Sequence, residues 1–307
     1  MTRRELVLAL GAIAAFPIAC SKQEKSSRAT PPTPTGEPRV VDATTHSRLL
    51  EWDIDGPIGP GRAAILVPNG PPEARYPVLV ALHGRGEAVK SPAAGALGWP
   101  RDYAMRRAIE RVSAPPLTDP DFEGFSDPQR LARINADLAA TPYAGLIVAC
   151  PHVPDIGPNG GDVRAVARFV TDVLLPRVRR ETPAIDAPEA TGIDGVSMGG
   201  ALALRIGLTH PEAFGAVGSL QAAITEEQAT ELTELAKAAR VRRAGMKLRL
   251  VTSHDDYFRG AIQHLSDAWR AAGIAHEFAD VPGPHDYAFN RGPGSIELLT
   301  FYDRALR

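Results

Sequence analysis

From residue 62 onward, short apolar runs alternate with stretches whose apolar positions recur every three to four residues. Residues 62–67 (RAAILV) and 77–82 (PVLVAL) read as strands, the second as one buried on both faces. The runs at 146–149, 193–196, 214–220, 248–252 and 276–281 read the same way. Between them lie helical patterns. Residues 162–180 carry Val163, Val166, Phe169, Val170 and Val173 on one stripe, with Asp162 placed to cap it. Further helices are predicted over 198–209, 226–243, 259–272 (ending at Gly273) and 295–306. Strands separated by helices imply a mostly parallel, doubly wound α/β sheet, whose chemistry gathers at the carboxyl ends of the strands.

One interval breaks the alternation. Residues 87–145 hold Trp99, Tyr103, Phe122 and Phe125 among many prolines, and a helical run over 129–140. A connection this long carries function or its own substructure, and it is read as a substrate-side insertion between the third and fourth strands.

The N-terminus has a different character. Arg3-Arg4 precedes an apolar run, residues 6–19, that is too short for a spanning helix of about 20 residues. Paired arginines ahead of such a run resemble a twin-arginine export signal. Ala19-Cys20-Ser21 resembles a bacterial lipobox, which implies lipidation at Cys20, although Pro17 departs from that pattern. Cleavage near Ala19 followed by plain secretion is the alternative. Residues 21–38 are polar and Pro-rich and read as a disordered tether. The expected organisation is therefore an export signal at 1–20, a linker at 21–38 and one domain at 39–307. The expected location is the cell envelope, lipid-anchored or else periplasmic or secreted.

Composition narrows the function. A formal charge of −2 gives no basic excess, which argues against nucleic acid as a partner. Of the two cysteines, processing would consume Cys20 and leave Cys150 unpaired, so the domain must stand on its core. There is no H-E-x-x-H pattern and no phosphate-cradling loop, so no metal or cofactor is expected.

The chemistry concentrates at three strand ends. Gly195-Val196-Ser197-Met198-Gly199 follows an apolar strand and opens an Ala/Leu-rich helix. The context of this G-x-S-x-G segment matters more than its letters, because a tight strand-to-helix turn lifts the serine hydroxyl clear of the sheet. Ser197 is therefore the candidate nucleophile. It needs a base, and His285, in the loop after the last strand, is the best placed of eight histidines. His276 lies within a strand pattern, and His210 and His264 on helices. His152 and His254 follow strands but precede the nucleophile or the acid, breaking the usual chain order. The strand at 248–252 ends in Ser253-His254-Asp255-Asp256, which offers two carboxylates to orient the base. Asp256 is favoured over Asp255, with the unused one expected to cap the next helix. His83-Gly84-Arg85-Gly86 closes the strand at 77–82. Its turn can aim the Arg85 backbone N–H at an oxyanion, with the Met198 N–H as partner.

Taken with these motifs, the chain from about residue 62 onward resembles the α/β-hydrolase superfamily, and within it the esterase branch of esterase D-like and feruloyl-esterase-like proteins. The matching segments are His83-Gly84-Arg85-Gly86, Gly195 to Gly200, and Pro282-Gly283-Pro284-His285-Asp286-Tyr287, with Pro284 where the branch often has glycine. The resemblance implies ester hydrolysis through an acyl-enzyme but does not transfer a substrate; the expected partner is a small-molecule or glycan-linked ester. Membrane contact would come only through a lipid at Cys20. An acyltransferase or serine peptidase would use the same scaffold, and a surface-anchored binding protein would keep the fold without the chemistry. Tyr287 and the aromatics of 87–145 are candidates for lining an acyl or alcohol pocket.

Overall fold

The computed structural model describes residues 39–157 and 162–307; the predicted export signal, Cys20 and the linker lie outside them. Among the described residues nine strands form one sheet: β1 (Arg39–Ala43), β2 (Ser47–Gly56), β3 (Gly59–Pro68), β4 (Val78–Leu82), β5 (Ile147–Pro151), β6 (Thr191–Gly195), β7 (Ala216–Leu220), β8 (Lys247–Asp255) and β9 (Glu277–Pro284). Their order is β1-β2-β3-β5-β4-β6-β7-β8-β9. Pairing is antiparallel from β1 through β3 to β5, and parallel from β5 to β9.

The antiparallel end is what the hydrophobic pattern did not reveal. β2 and β3 form a long hairpin that turns through Pro57-Ile58, with Gly56 paired to Gly59. Gly59 takes φ +91°, a left-handed conformation open to glycine. β1 is exposed along its whole length and has no buried face to leave an alternating signature. The 87–145 interval runs between β4 and β5 rather than between the third and fourth strands, because β1 and β2, neither of them among the strands read from the pattern, precede β3 and β4.

Alternation along the strands feeds two cores. On β4, Val78, Val80 and Leu82 face one apolar cluster, and Leu79 and Ala81 face the other. This is the period-two pattern of a strand covered on both sides. The first cluster is closed by α5 (Val163–Arg168), α6 (Leu175–Glu181), α7 (Met198–Thr209), α8 (Gln228–Arg242) and α9 (Arg259–Ala271). A π-helical segment, Phe169–Leu174, joins α5 to α6, and the Asp162 carboxylate caps α5 by accepting from Ala165 N–H at 2.8 Å.

The second cluster is closed by α3 (Met105–Val112), α4 (Pro128–Ala140) and α11 (Ser295–Ala305). Trp99, Tyr103, Phe122, Ile109 and Leu138 are buried there against Leu79, Val148 and Tyr302. Much of the 87–145 interval is thus a structural layer. Its beginning, α1 (Arg85–Ala88) and α2 (Pro92–Ala96), lies at the carboxyl end of β4, and α10 (Tyr287–Phe289) follows β9.

Under the site, a buried ion pair crosses the sheet. Arg249 on β8 donates from Nη2 to Asp194 Oδ2 on β6 at 2.9 Å, and both side chains are essentially fully buried. The pair spans β7, which lies between those strands. A Cβ on Gly218 of β7 would sit 2.4 Å from Asp194 Oδ2 and 2.8 Å from the Tyr302 hydroxyl. Removing one partner of such a pair, or forcing the partners apart, costs about 3–5 kcal/mol. Gly218→Ala is therefore expected to lower stability by about 3 kcal/mol, read as a fall in the urea midpoint at unchanged m-value.

Candidate active site

β6 ends against β4 in close quarters. Val196 N–H donates to Leu82 O at 3.1 Å, and Ser197 N–H to Leu220 O at 3.0 Å, so the turn is tied to both neighbouring strands. Ser197 takes φ +56° and ψ −117° and stands at the start of α7. A non-glycine residue held at positive φ stores about 1–3 kcal/mol, which the surroundings must offset. They do so by hydrogen bonding. Ser197 C=O accepts from Ala201 N–H at 3.1 Å and from Ala223 N–H at 2.9 Å.

Space is as tight as the backbone. A Cβ on Gly195 would lie 2.4 Å from the Gly199 carbonyl carbon, and one on Gly199 would lie 2.4 Å from Leu82 O and 2.5 Å from His83 O. The two glycines let the β4 turn and the β6 turn touch through backbone alone. Ser197 Oγ makes no hydrogen bond to another described residue, His285 included.

On the other side of the site, His285 Nδ1 lies 2.7 Å from Asp256 Oδ1. Asp256 is fully covered at its side chain and also accepts from Thr252 Oγ1 at 2.7 Å and Phe258 N–H at 3.0 Å. Three donors thus hold one carboxylate. Because a carboxylate only accepts, the pairing assigns the imidazole proton to Nδ1 and leaves Nε2 as the acceptor. The rings of Tyr257 and Phe258 pack on His285 at 5.4 and 5.5 Å between centroids. Asp255 is exposed in the last position of β8, and α9 starts without a side-chain cap, so Asp255 does not take the capping role expected of it. His254, also at the end of β8, is exposed.

Gln221 connects these halves, and sequence reasoning passed over it. It directly follows β7 at φ +47° and is completely buried. Its backbone N–H donates to Val251 O, and its Nε2 donates to Ser253 Oγ at 2.6 Å and to Pro284 O at 2.9 Å. The residue after Leu220, which holds the Ser197 amide, therefore also holds the residue before His285. A lone glutamine ending a buried strand beside the serine turn was the available signal.

Arg85 opens α1, and its guanidinium reaches out to Asp155 at 2.9 Å while remaining mostly exposed. The Arg85 and Met198 backbone N–H groups each begin a helix, and no described residue accepts from either. The turns carrying them are in contact, since a Cβ on Gly84 would meet Val196 Cγ1 at 3.7 Å. His83 is buried between them. Its Nδ1 bonds Gly84 O at 2.9 Å, and its Nε2 accepts from Val153 N–H at 3.0 Å, fastening the β5 end loop to the β4 turn. Burial pushes the His83 pKa down to about 4, so this ring is neutral and structural. The aromatics Trp99, Tyr103 and Phe122 lie in the core, with Trp99 Nε1 donating to Leu82 O at 3.0 Å. Tyr287 is partly exposed beside the site. Among the described residues no group of three or more His, Cys, Asp or Glu side chains converges as a metal cluster would.

Comparison with solved structures places this arrangement among known folds. A ferulic acid esterase superposes with a TM-score of 0.65 at 16% identity, over 86% of this chain and 100% of its own. The S-formylglutathione hydrolase of Staphylococcus aureus gives 0.59 at 14% identity, over 84% and 100%. The S-formylglutathione hydrolase of Agrobacterium tumefaciens gives 0.59 at 15%, over 89% and 100%. The fold is that of the α/β-hydrolases. The model of the Esterase family matches residues 152–226, which includes the Ser197 turn. A search of curated protein sequences returns no match. In this α/β-hydrolase sheet, Ser197, Asp256 and His285 come from the ends of β6, β8 and β9, and Arg85 from the end of β4.

His83 gives the fold a pH signature. Its pKa is about 4 folded against an ordinary 6.5, so the unfolded chain binds the proton more readily. Stability from this residue is complete above pH 6.5 and lost as pH falls toward 4, by on the order of 3 kcal/mol. Urea midpoints at pH 7 and pH 4.5 are expected to differ less in His83→Asn, which is less stable at pH 7, than in the unaltered protein.

Proposed function

We propose that the protein is a serine hydrolase that cleaves carboxylic esters through an acyl-enzyme. The observation that carries this reading is the 2.7 Å pairing of His285 with the buried Asp256, wired through Gln221 to the strained Ser197 turn. The names of the fold neighbours, esterases and hydrolases of ester or thioester bonds, support the same chemistry.

In this mechanism His285 Nε2 takes the proton from Ser197 Oγ as the oxygen attacks the substrate carbonyl carbon. Asp256 holds the Nδ1 proton in place and stabilises the imidazolium, without itself being protonated. The carbonyl oxygen becomes an oxyanion facing the Arg85 and Met198 N–H groups, donors that need no reorganisation as charge develops. His285 returns the proton to the departing alkoxide, and the alcohol leaves. Water then loses a proton to the same nitrogen, attacks the acyl-serine, and the acid departs as Ser197 is reprotonated. No step requires a cofactor from this set of groups.

The chain is further proposed to be exported and lipid-anchored at Cys20, a reading supported by Arg3-Arg4, the short apolar run and Ala19-Cys20 in the sequence. Mass spectrometry of the mature N-terminus from the native host is expected to give a diacylglyceryl-modified Cys20; an unmodified N-terminus near Ser21 would refute the anchor.

Activity is expected on short p-nitrophenyl esters in preference to the matching anilides, and a fluorophosphonate probe is expected to label Ser197. Ser197→Ala should lower kcat by roughly 10³-fold or more and abolish labelling. Asp256→Asn, which disturbs the tautomer while keeping the shape, should lower kcat by about 10³–10⁴-fold. A preference for amides, or acyl transfer to added alcohols outrunning hydrolysis, would replace the esterase reading with a peptidase or acyltransferase. A chain that neither turns over nor labels would be a binding protein on this scaffold.

A further inference from the structure

Glu87 lies two residues beyond Arg85 in α1 and is 1% exposed. A buried carboxylate needs compensation, and here it comes from three directions. Tyr287 donates its hydroxyl to Oε1 at 2.6 Å, and Tyr103 donates its own to Oε2. Lys90 Nζ stands 3.3 Å from Oε1 and 2.9 Å from Asp102 Oδ2. The Tyr103 oxygen in turn accepts from Gly84 N–H at 3.2 Å. Gly86 completes the contact, because a Cβ there would sit 2.9 Å from the Tyr287 hydroxyl.

None of these groups takes part in the proton transfers above, yet the cluster adjoins both the proposed oxyanion donor and the proposed base. Gly84 and Gly86 flank Arg85, whose N–H faces the oxyanion. Tyr287 is two residues from His285. Burial, reinforced by Glu87, holds the hydroxyls of Tyr103 and Tyr287 above the usual tyrosine range, so both remain donors. Burial works against the Lys90 charge, but Asp102 and Glu87 outweigh it and hold its pKa above the usual lysine value. Arg101 adds a second cation on Asp102 at 2.8 Å, and the cluster is a hydrogen-bonded knot between α1 and α10, whose Glu87 and Tyr287 are 200 residues apart in the chain.

We infer that Glu87 and Tyr287 are positioning residues, a latch that fixes the oxyanion turn of Arg85 relative to the base at His285. This rests on the assignment of Ser197 and His285 as nucleophile and base. The physical need is plain: the oxyanion donor and the base must meet one tetrahedral centre at the same instant, and a misplacement of about 1 Å costs up to 10²-fold in rate. Gln221 ties the histidine loop to the serine side of the site; Glu87 ties it to the oxyanion side.

The test uses the full chain, with p-nitrophenyl acetate turnover from pH 5.5 to 9 and the rate of fluorophosphonate labelling of Ser197. Tyr287→Phe removes one hydroxyl from a partly exposed ring. It is expected to lower kcat about tenfold and the labelling rate by a similar factor. KM should stay within about twofold, and the apparent pKa of kcat/KM should not move, since the latch does not titrate in the reaction. Glu87→Gln is expected to act in the same direction. Should that variant fail to fold, as judged by circular dichroism, Tyr287→Phe carries the result alone. A Tyr287→Phe enzyme with kcat within twofold of the unaltered protein, or with its whole loss in KM, overturns the latch. Unaltered protein that Ser197-directed probe does not label would instead refute the nucleophile assignment beneath it.

Discussion

The close approach of two backbone turns, one closing β4 and one closing β6, is the constraint on which the rest of the site depends. Val196 N–H reaches Leu82 O, and Gly199 lies against the carbonyls of Leu82 and His83 at distances no Cβ would tolerate. At that contact Ser197 takes positive φ, and the β4 turn that carries Arg85 lies against the β6 turn that carries Met198. The geometry of Ser197, the proposed nucleophile, and that of the proposed oxyanion donors are therefore linked through one packing contact. The strain at Ser197 is sustained because its peptide N–H and C=O are bonded to Leu220, Ala201 and Ala223.

Polar side chains then extend this rigidity across the carboxyl end of the sheet. Gln221 bridges from β7 to the carboxyl ends of β8 and β9, Thr252 and the Phe258 amide hold Asp256, and Asp256 holds His285. On the opposite flank Glu87 gathers Tyr103, Tyr287 and Lys90. A lone buried polar group costs more than a hydrogen bond returns, and in this network Gln221 Oε1 is buried without a partner. Beneath them, the Arg249–Asp194 pair crosses over Gly218 and joins β8 and β6, the strands that lead to Asp256 and Ser197.

The sequence was most legible where one local rule governed each residue. Short continuous apolar runs marked β4 and the other buried strands, and the stripe from Val163 to Val173 marked the helix that Asp162 caps. The helix after Ser197 runs over the predicted residues 198–209. Legibility failed at β1, whose five residues are all exposed and carry no face to pattern. It failed more avoidably at β2, where Leu50, Trp52 and Ile54 alternate before a Gly-Pro-Ile-Gly turn. The aromatics of 87–145 pointed to a pocket on composition, whereas Trp99, Tyr103 and Phe122 are core. Aromatic content reports burial without saying against what.

What the chain determined by itself was the supply of chemistry and its order: a serine between glycines at a strand end, a histidine after the last strand, two adjacent aspartates, and a glycine-flanked arginine. Periodicity and turn glycines are local, so they survive in a one-dimensional reading. Only the tertiary structure decided which aspartate meets the imidazole, that a glutamine outside any motif joins the serine turn to the histidine loop, and that Glu87 and Tyr287 share a hydrogen bond across 200 residues. Those choices depend on which strand ends become neighbours and which side chains lose water together, and no local pattern records them.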